Sequence, residues 1–172
     1  FSEAGDAFFT STFLVHPGDG KRDGLIHSIY GSVYPKSHGV IDGLPRTGEL
    51  MPAMTHLGPA APAGLTTYRS ETFGAGFHGN LFSCLFNMRK VMRHRLIPEG
   101  ATFRTEDSDF LVSDQVDFHP TDVKEDADGS LLIMDTGGWY KLCCPTSVIA
   151  KPEVFGAIYR VRRSGGVGPE GD

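Results

Sequence analysis

His119 is the residue whose type and position are best suited to chemistry. It directly precedes Pro120, and the residue before a proline is held extended, which places His119 at the entrance of a strand. Because an imidazole titrates near neutral pH, His119 could donate a contact to a ligand or accept a proton. A capping role, with the ring bonded to neighbouring backbone, explains the same position.

The segment from Asp135 to Trp139, Asp-Thr-Gly-Gly-Trp, is a second candidate. The indole of Trp139 is suited to stacking on a sugar face or a quinone ring, and the two glycines would let a ligand approach the backbone. Packing of Trp139 against its own strand, as an anchor for the loop 140–152, is an equally good interpretation.

The run Asp126-Ala127-Asp128-Gly129 is similar to the start of a calcium loop, in which alternating carboxylates supply oxygen ligands. Such a loop needs a closing glutamate, and no glutamate occurs from Asp126 to Trp139. Because Asp-Gly is also typical of a tight hairpin, we predict a solvated turn here.

The cysteines show no metal-binding spacing, since no Cys-x-x-Cys pair occurs. Cys143 and Cys144 are adjacent, which rarely satisfies disulfide geometry, so structural burial is the simpler prediction for both. Cys84 lies in an apolar run and is predicted to be a small core residue.

The composition favours a β-rich domain. Among 172 residues there are 22 glycines and 11 prolines, which disfavours a helix bundle. The formal net charge of -5 excludes the broad basic surface that nucleic acid requires. The first ten residues lack the basic and apolar regions of an export signal, so we expect the chain to begin inside a longer protein.

Short apolar runs between turn signals predict strands. The segments 64–114 and 115–163 each suggest one multi-stranded unit, and a repeat of about 45 to 50 residues is typical of β-propeller blades. The segment 35–62 contains five prolines and is predicted to be a long ordered loop. The segment 164–172 is predicted to be a flexible tail. We therefore predict an all-β fold over 1–163: a partial β-propeller of about three to four blades, each a four-stranded antiparallel sheet.

Two segments carry a family likeness. The stretch from Phe118 to Asp135, followed by Gly156-Ala-Ile-Tyr-Arg-Val161, resembles the late blades of glucose/sorbosone dehydrogenase-type propellers, particularly the large membrane-bound dehydrogenase proteins of planctomycete-like bacteria. Upstream, Gly79-Asn-Leu-Phe82 and Val91-Met-Arg-His-Arg-Leu96 look like the preceding blade of that family. The resemblance implies the carboxy-terminal part of a six-bladed propeller.

The resemblance also implies a site. Such propellers hold pyrroloquinoline quinone, with calcium as a frequent companion, on a funnel-shaped face. Asn87, followed by Arg89, stands where the family has a cofactor-contacting lysine, and His119 and Thr121 stand where it has basic residues. We expect Asn87, Arg89, His119, Thr121 and Trp139 to line that face as binders, while the catalytic base lies outside the chain.

The resemblance implies oxidation of a sugar or polyol by removal of a hydride to the quinone, in an exported, periplasmic protein. A non-catalytic propeller that binds carbohydrate or a protein is the alternative, because neutral side chains replace the family's cations at Asn87 and Thr121. The remaining blades, or another chain, are expected to cover the open sheet edges. No nucleic-acid partner and no transmembrane segment are expected.

Overall fold

The computed structural model describes residues 1–12, 14, 20–37, 39–138 and 151–165. The regular structure of these residues is almost entirely β-strand, with single 3-10 turns at Ala75–Phe77 and Phe86–Met88 and no α-helix. The strands are β1 Ala7–Ser11, β2 Asp23–Ser28, β3 Thr55–Gly58, β4 Pro62–Thr67, β5 Leu81–Leu85, β6 Lys90–Glu99, β7 Thr102–Val112, β8 Pro120–Glu125, β9 Leu131–Asp135 and β10 Ala157–Val161.

The strands form three antiparallel sheets in chain order. The first sheet is β1-β2-β3, the second is β4-β5-β6-β7, and the third is β8-β9-β10. Strands β4 and β8, which open the second and third sheets, pack against each other. The predicted all-β, partial-propeller architecture is confirmed. The second sheet has the four strands predicted for a blade, whereas the first and third sheets each have three strands among the described residues.

Because neighbouring strands are antiparallel, each connection between strands lies at one of two opposite ends of the sheets. We call the end that carries the segments 59–61, 86–89 and 113–119 the upper end, and the opposite end, with the segments 29–54, 68–80 and 100–101, the lower end. Contacts between sheets align these ends, because the Ala61 backbone N–H donates to Asp23 Oδ2 at 2.8 Å and the Tyr68 hydroxyl donates to the Gly129 carbonyl at 2.6 Å.

The structure places a strand inside the segment 35–62, where the sequence predicts loop throughout. Residues Thr55–Gly58 pair with the first half of β2, because a short run with a β-branched residue and a buried leucine completes the first sheet between flanking prolines. The part before Thr55 belongs to the connection from β2 to β3 at the lower end, and residues 59–61 join β3 to β4 at the upper end.

The three sheets meet at two seams, which differ in the size of their buried apolar clusters. The second seam, between the second and third sheets, buries Tyr68, Phe82, Cys84, Val91, Phe118, Val123, Leu131 and Ile133. The first seam, between the first and second sheets, has a small apolar cluster of Leu57, Ala60 and Leu85, with Met92 packed on it. The predicted core position of Cys84 is confirmed, and burial, with the Asp122 carboxylate as a smaller cause, raises the pKa of its thiol to about 12.

Gly64 lets β4 approach β8 closely, and we expect Gly64→Ala to destabilise the fold. A Cβ at this position would lie 2.5 Å from the Cα of Asp122 and 3.0 Å from the backbone nitrogen of Val123. Backbone on β8 cannot move aside without disturbing the second seam, so we expect a loss of about 1 to 3 kcal/mol in the free energy of unfolding. Chemical denaturation measures it. Gly48→Ala, where a Cβ meets nothing within 4 Å, is the matched control, and equal stability of the two variants would contradict the close approach.

Candidate functional site

The upper end brings together three of the predicted ligand-facing residues. Asn87 and Arg89 lie in the turn between β5 and β6, and His119 lies just before β8. Phe86, in the same turn, packs against His119 with ring centroids 4.6 Å apart and ring planes tilted by 31°. Two neighbouring sheets therefore present these side chains at one shared end.

His119 is held from several directions and is only 5% exposed. Its ring nitrogen Nδ1 lies 2.7 Å from the Gly137 carbonyl and 3.0 Å from the Asp117 carbonyl. Because both neighbours are acceptors, Nδ1 carries a hydrogen, and in the neutral ring the lone pair lies on Nε2. The backbone thus sets both the orientation and the tautomer of this imidazole.

Asp135 organises the loop that surrounds His119. Its Oδ1 accepts hydrogen bonds from the backbone N–H groups of His119 and Gly137, each at 2.8 Å. Nearby, Lys151 Nζ donates to Asp117 Oδ1 at 2.7 Å. The sequence analysis did not assign Asp135 this positioning role, although a short acidic side chain two residues before a glycine is a recognisable turn signal.

Arg89 combines an unusual backbone with a charge that no carboxylate of the described ranges pairs with. It adopts a left-handed conformation with φ of 54°, and its carbonyl accepts from the Ser113 N–H at 3.0 Å. The neighbouring Lys90 is paired with Asp109 at 2.7 Å. Among the residues the structure describes, no carboxylate pairs with the half-buried guanidinium of Arg89. A non-glycine residue in this conformation costs about 1 kcal/mol or more, and such strain concentrates at functional sites.

The remaining predicted site residues have different surroundings. The Asn87 backbone N–H donates to the Ala60 carbonyl at 3.0 Å, which ties the turn to the connection between the first and second sheets. The Thr121 hydroxyl donates to the Met134 carbonyl at 3.2 Å, within the third sheet. Trp139, together with Cys143 and Cys144, lies outside the described residues.

A family model for a domain of unknown function, DUF7133, matches residues 29–164, which is more than three quarters of the chain. The chain belongs to the DUF7133 family. A search of curated proteins found no match.

One solved structure similar to this DUF7133 chain comes from Thermus thermophilus and is described provisionally as an oxidoreductase (glucose dehydrogenase). The two share 15% sequence identity at a TM-score of 0.61, over 92% of this chain and 42% of that one. This likeness shows a glucose dehydrogenase-like fold, and the chain spans less than half of the length of that structure.

The acidic hairpin of the DUF7133 chain is a turn between β8 and β9, as predicted. Asp128 Oδ1 accepts from the Ser130 N–H at 2.9 Å and Asp128 Oδ2 from Arg162 at 2.9 Å. Hydrogen bonds from the Ser130 side chain and backbone are the main reason that the pKa of Asp128 falls to about 2. Nowhere in the described ranges do three or more His, Cys, Asp or Glu side chains gather in a group that could hold a metal ion.

A hydrogen-bonded polar chain in the second sheet of the DUF7133 protein, with Ser83 and His94 buried and the Asp107 side chain 23% exposed, escaped the sequence analysis. Ser83, His94 and Asp107 lie on β5, β6 and β7 and are linked by hydrogen bonds of 2.8 and 2.7 Å. The signal that could have revealed it is the presence of polar residues at inward positions of two apolar strands.

No described helix is long and apolar enough to cross a membrane.

Proposed function

We propose that this chain forms part of the ligand-binding end of a sugar or alcohol dehydrogenase-like propeller that oxidises an aldose or polyol with a bound quinone. The observation that carries the proposal is Arg89, whose half-buried guanidinium is held in a left-handed turn at the upper end and is paired with no carboxylate of the described ranges. The fold likeness to the Thermus structure supports the coarser dehydrogenase assignment.

The residues at the upper end supply some of the groups that a quinone with carboxylate groups needs. Pyrroloquinoline quinone, when bound, accepts a hydride from the carbon that bears the substrate hydroxyl. Arg89 can offer a carboxylate two parallel N–H donors with a permanent charge. Lys90 and Lys151 already pair with aspartates, so further cations would come from blades outside this chain.

His119 would contribute an imidazole of fixed orientation to the same end. The two carbonyl acceptors at Nδ1 keep the hydrogen on that atom. The proposed role of the ring is to line the ligand site, with Phe86 against one face.

A non-catalytic module that binds carbohydrate or a protein is the second candidate. It is favoured by the way two predicted ligand residues are used inside the blade: Thr121 bonds to Met134, and His119 Nδ1 bonds to two backbone carbonyls. Side chains that already form hydrogen bonds within the blade leave fewer hydrogen-bonding groups for a quinone.

Further blades or another chain are proposed to pack on the outer edge of the third sheet. Strand β10 is the edge strand, with Ile158 69% and Tyr159 46% exposed, and Phe155 nearby is 80% exposed. An edge strand with exposed apolar side chains is normally covered. An exported, periplasmic location is part of the same proposal.

Arg89→Gly tests the proposed site with little risk to the fold. Glycine relaxes the left-handed backbone and removes the guanidinium, so we expect unchanged or higher stability and a loss of roughly tenfold or more in affinity for pyrroloquinoline quinone. Isothermal titration calorimetry with and without calcium measures the affinity. Arg104→Ala is the matched control, because Arg104 lies in β7 and is half exposed.

Two outcomes would count against the quinone proposal. Equal quinone affinity of Arg89→Gly and the parent chain would remove Arg89 from the site. Binding of aldoses or polyols in the same calorimeter, with no quinone binding by either chain, would favour the non-catalytic module.

A further inference from the structure

Four side chains form a continuous hydrogen-bonded chain that crosses the first seam. Ser83 Oγ lies 2.8 Å from His94 Nε2, and His94 Nδ1 lies 2.7 Å from Asp107 Oδ1. Thr55 Oγ1 donates to Asp107 Oδ2 at 2.6 Å. Ser83, His94 and Asp107 belong to the second sheet, whereas Thr55 begins β3 of the first sheet. The Asp107 carboxylate therefore joins the two sheets.

The order of groups is that of a serine, a base and an acid, but the surroundings exclude nucleophilic catalysis. Ser83 and His94 are both 0% exposed, so no substrate can reach the hydroxyl. A nucleophile must lie beside a position that the reacting atom can occupy. The hydrogen-bonded chain therefore has a structural role, and that role depends on which atoms carry the hydrogens.

The positions of the hydrogens follow from the Asp107 carboxylate, which can only accept when it is ionised. Asp107 is an acceptor when ionised, so His94 Nδ1 donates to it, and in the neutral ring the Ser83 hydroxyl donates to Nε2. Thr55 donates to the second carboxylate oxygen. An ionised Asp107 accepts at both oxygens, while a protonated one keeps a hydrogen on one oxygen and must give up or reverse one bond.

The first seam has a smaller buried apolar cluster than the second seam. Its buried apolar cluster holds three residues, against eight in the second seam. Other polar contacts across it include His27 Nδ1 with Thr102 Oγ1 at 3.1 Å and Thr10 Oγ1 with the Ala63 carbonyl at 3.3 Å. Because polar contacts contribute less net stability than apolar burial of this size, the first seam is the weaker one.

We propose that Asp107 is a proton-controlled clamp, whose protonation weakens its charge-assisted bond to Thr55 and lets the first sheet open locally while the second and third sheets stay packed. The first sheet would then move as a separate unit of low local stability. Weakening of that bond needs no large motion, because the clamp is a single carboxylate between β3 and β7.

The charged and titratable groups around the clamp are few. On β6, His94 faces Asp107 directly, and β3 brings the exposed His56 next to Thr55. Along β7, Glu106 pairs with Arg95 and Asp109 with Lys90. Strand β5 contains no charged residue. Elsewhere on the first seam the titratable groups are Asp6, Arg22, Asp23 and His27.

The direction of the Asp107 pKa agrees with the clamp. Burial raises that pKa, but the hydrogen bonds from His94 and Thr55 outweigh it, so the pKa lies below its ordinary value of 3.8. A carboxyl with a lowered folded-state pKa stabilises the fold fully above its ordinary pKa, and this stabilisation is lost as the pH falls through the lowered value. The first sheet should therefore open at a pH below about 4.

Hydrogen exchange with mass spectrometry on the full chain tests the clamp through Asp107→Asn, which keeps the shape but removes the charge. At neutral pH we expect protection factors in 23–28 and 55–58 to fall about tenfold to a hundredfold, with 81–85 and 131–135 unchanged. In the parent chain the same two segments should lose protection first as the pH falls below about 4. Asp109→Asn, on the same strand, is the matched control and should leave all four segments unchanged.

Other results would overturn the clamp. Equal losses in all three sheets would mean that Asp107 stabilises the whole fold, and equal effects of Asp109→Asn and Asp107→Asn would mean that general charge on β7 is responsible. If Asp107→Asn does not fold, Thr55→Val removes only the donor from the first sheet. Unchanged protection of 23–28 and 55–58 in Thr55→Val would then contradict the proposal.

Discussion

Phe82→Ala is expected to lower the free energy of unfolding by about 3 to 5 kcal/mol, the range for removing a large buried aromatic side chain. Phe82 is 0% exposed at the centre of the second seam. Its ring lies 4.8 Å from that of Phe110 and 5.9 Å from that of Tyr68, centroid to centroid, both edge to face. The rigid strands around it cannot collapse into the cavity, which adds the cavity cost to the lost burial.

Chemical denaturation followed by circular dichroism measures this loss. Phe155→Ala is the control, because Phe155 is 80% exposed and its removal should change stability by no more than about 0.5 kcal/mol. Similar effects of the two substitutions would show that the second seam is not the main core of the chain.

His94→Ala is expected to cost about 3 kcal/mol or more, although it removes a polar side chain. The imidazole is 0% exposed and connects Ser83 to Asp107. Its loss leaves a cavity beside the buried Ser83 hydroxyl, which no longer has its acceptor, and it removes one of the donors to the partly exposed Asp107 carboxylate. His56→Ala, at an exposed position of β3, should have little effect.

A double-mutant cycle separates the hydrogen-bonded chain from simple loss of volume. Ser83→Ala leaves His94 Nε2 without the serine donor, but in Ser83→Ala/His94→Ala neither partner remains. The double variant should therefore cost less than the two single losses added together. Additive losses would mean that Ser83 and His94 stabilise the fold independently.

Much of the strand content was predictable because the responsible signals are local. The Asp128-Gly129 turn between β8 and β9 and the turn before β7 near Gly100 follow from glycine conformations alone. Strand β3 was missed because Thr55–Gly58 is four residues long among prolines, and only pairing with β2 stabilises it.

The candidate site was predictable in part for a different reason. Residue types and the family likeness indicated Asn87, Arg89, His119, Thr121 and Trp139. The sequence could not show that Lys90, rather than Arg89, pairs with Asp109, because that choice depends on the register between β6 and β7. It could not show that Thr121 donates to Met134 either.

The amino-acid sequence by itself determined the all-β class and the main turns, since composition and local conformational preference act over a few residues. Only the tertiary structure decided that Phe86 meets His119 at one end. It also decided that Asp107 accepts hydrogen bonds from two different sheets. The physical reason is that these contacts join residues more than 30 or 50 positions apart, and only strand register and sheet packing bring such residues within hydrogen-bonding or stacking distance.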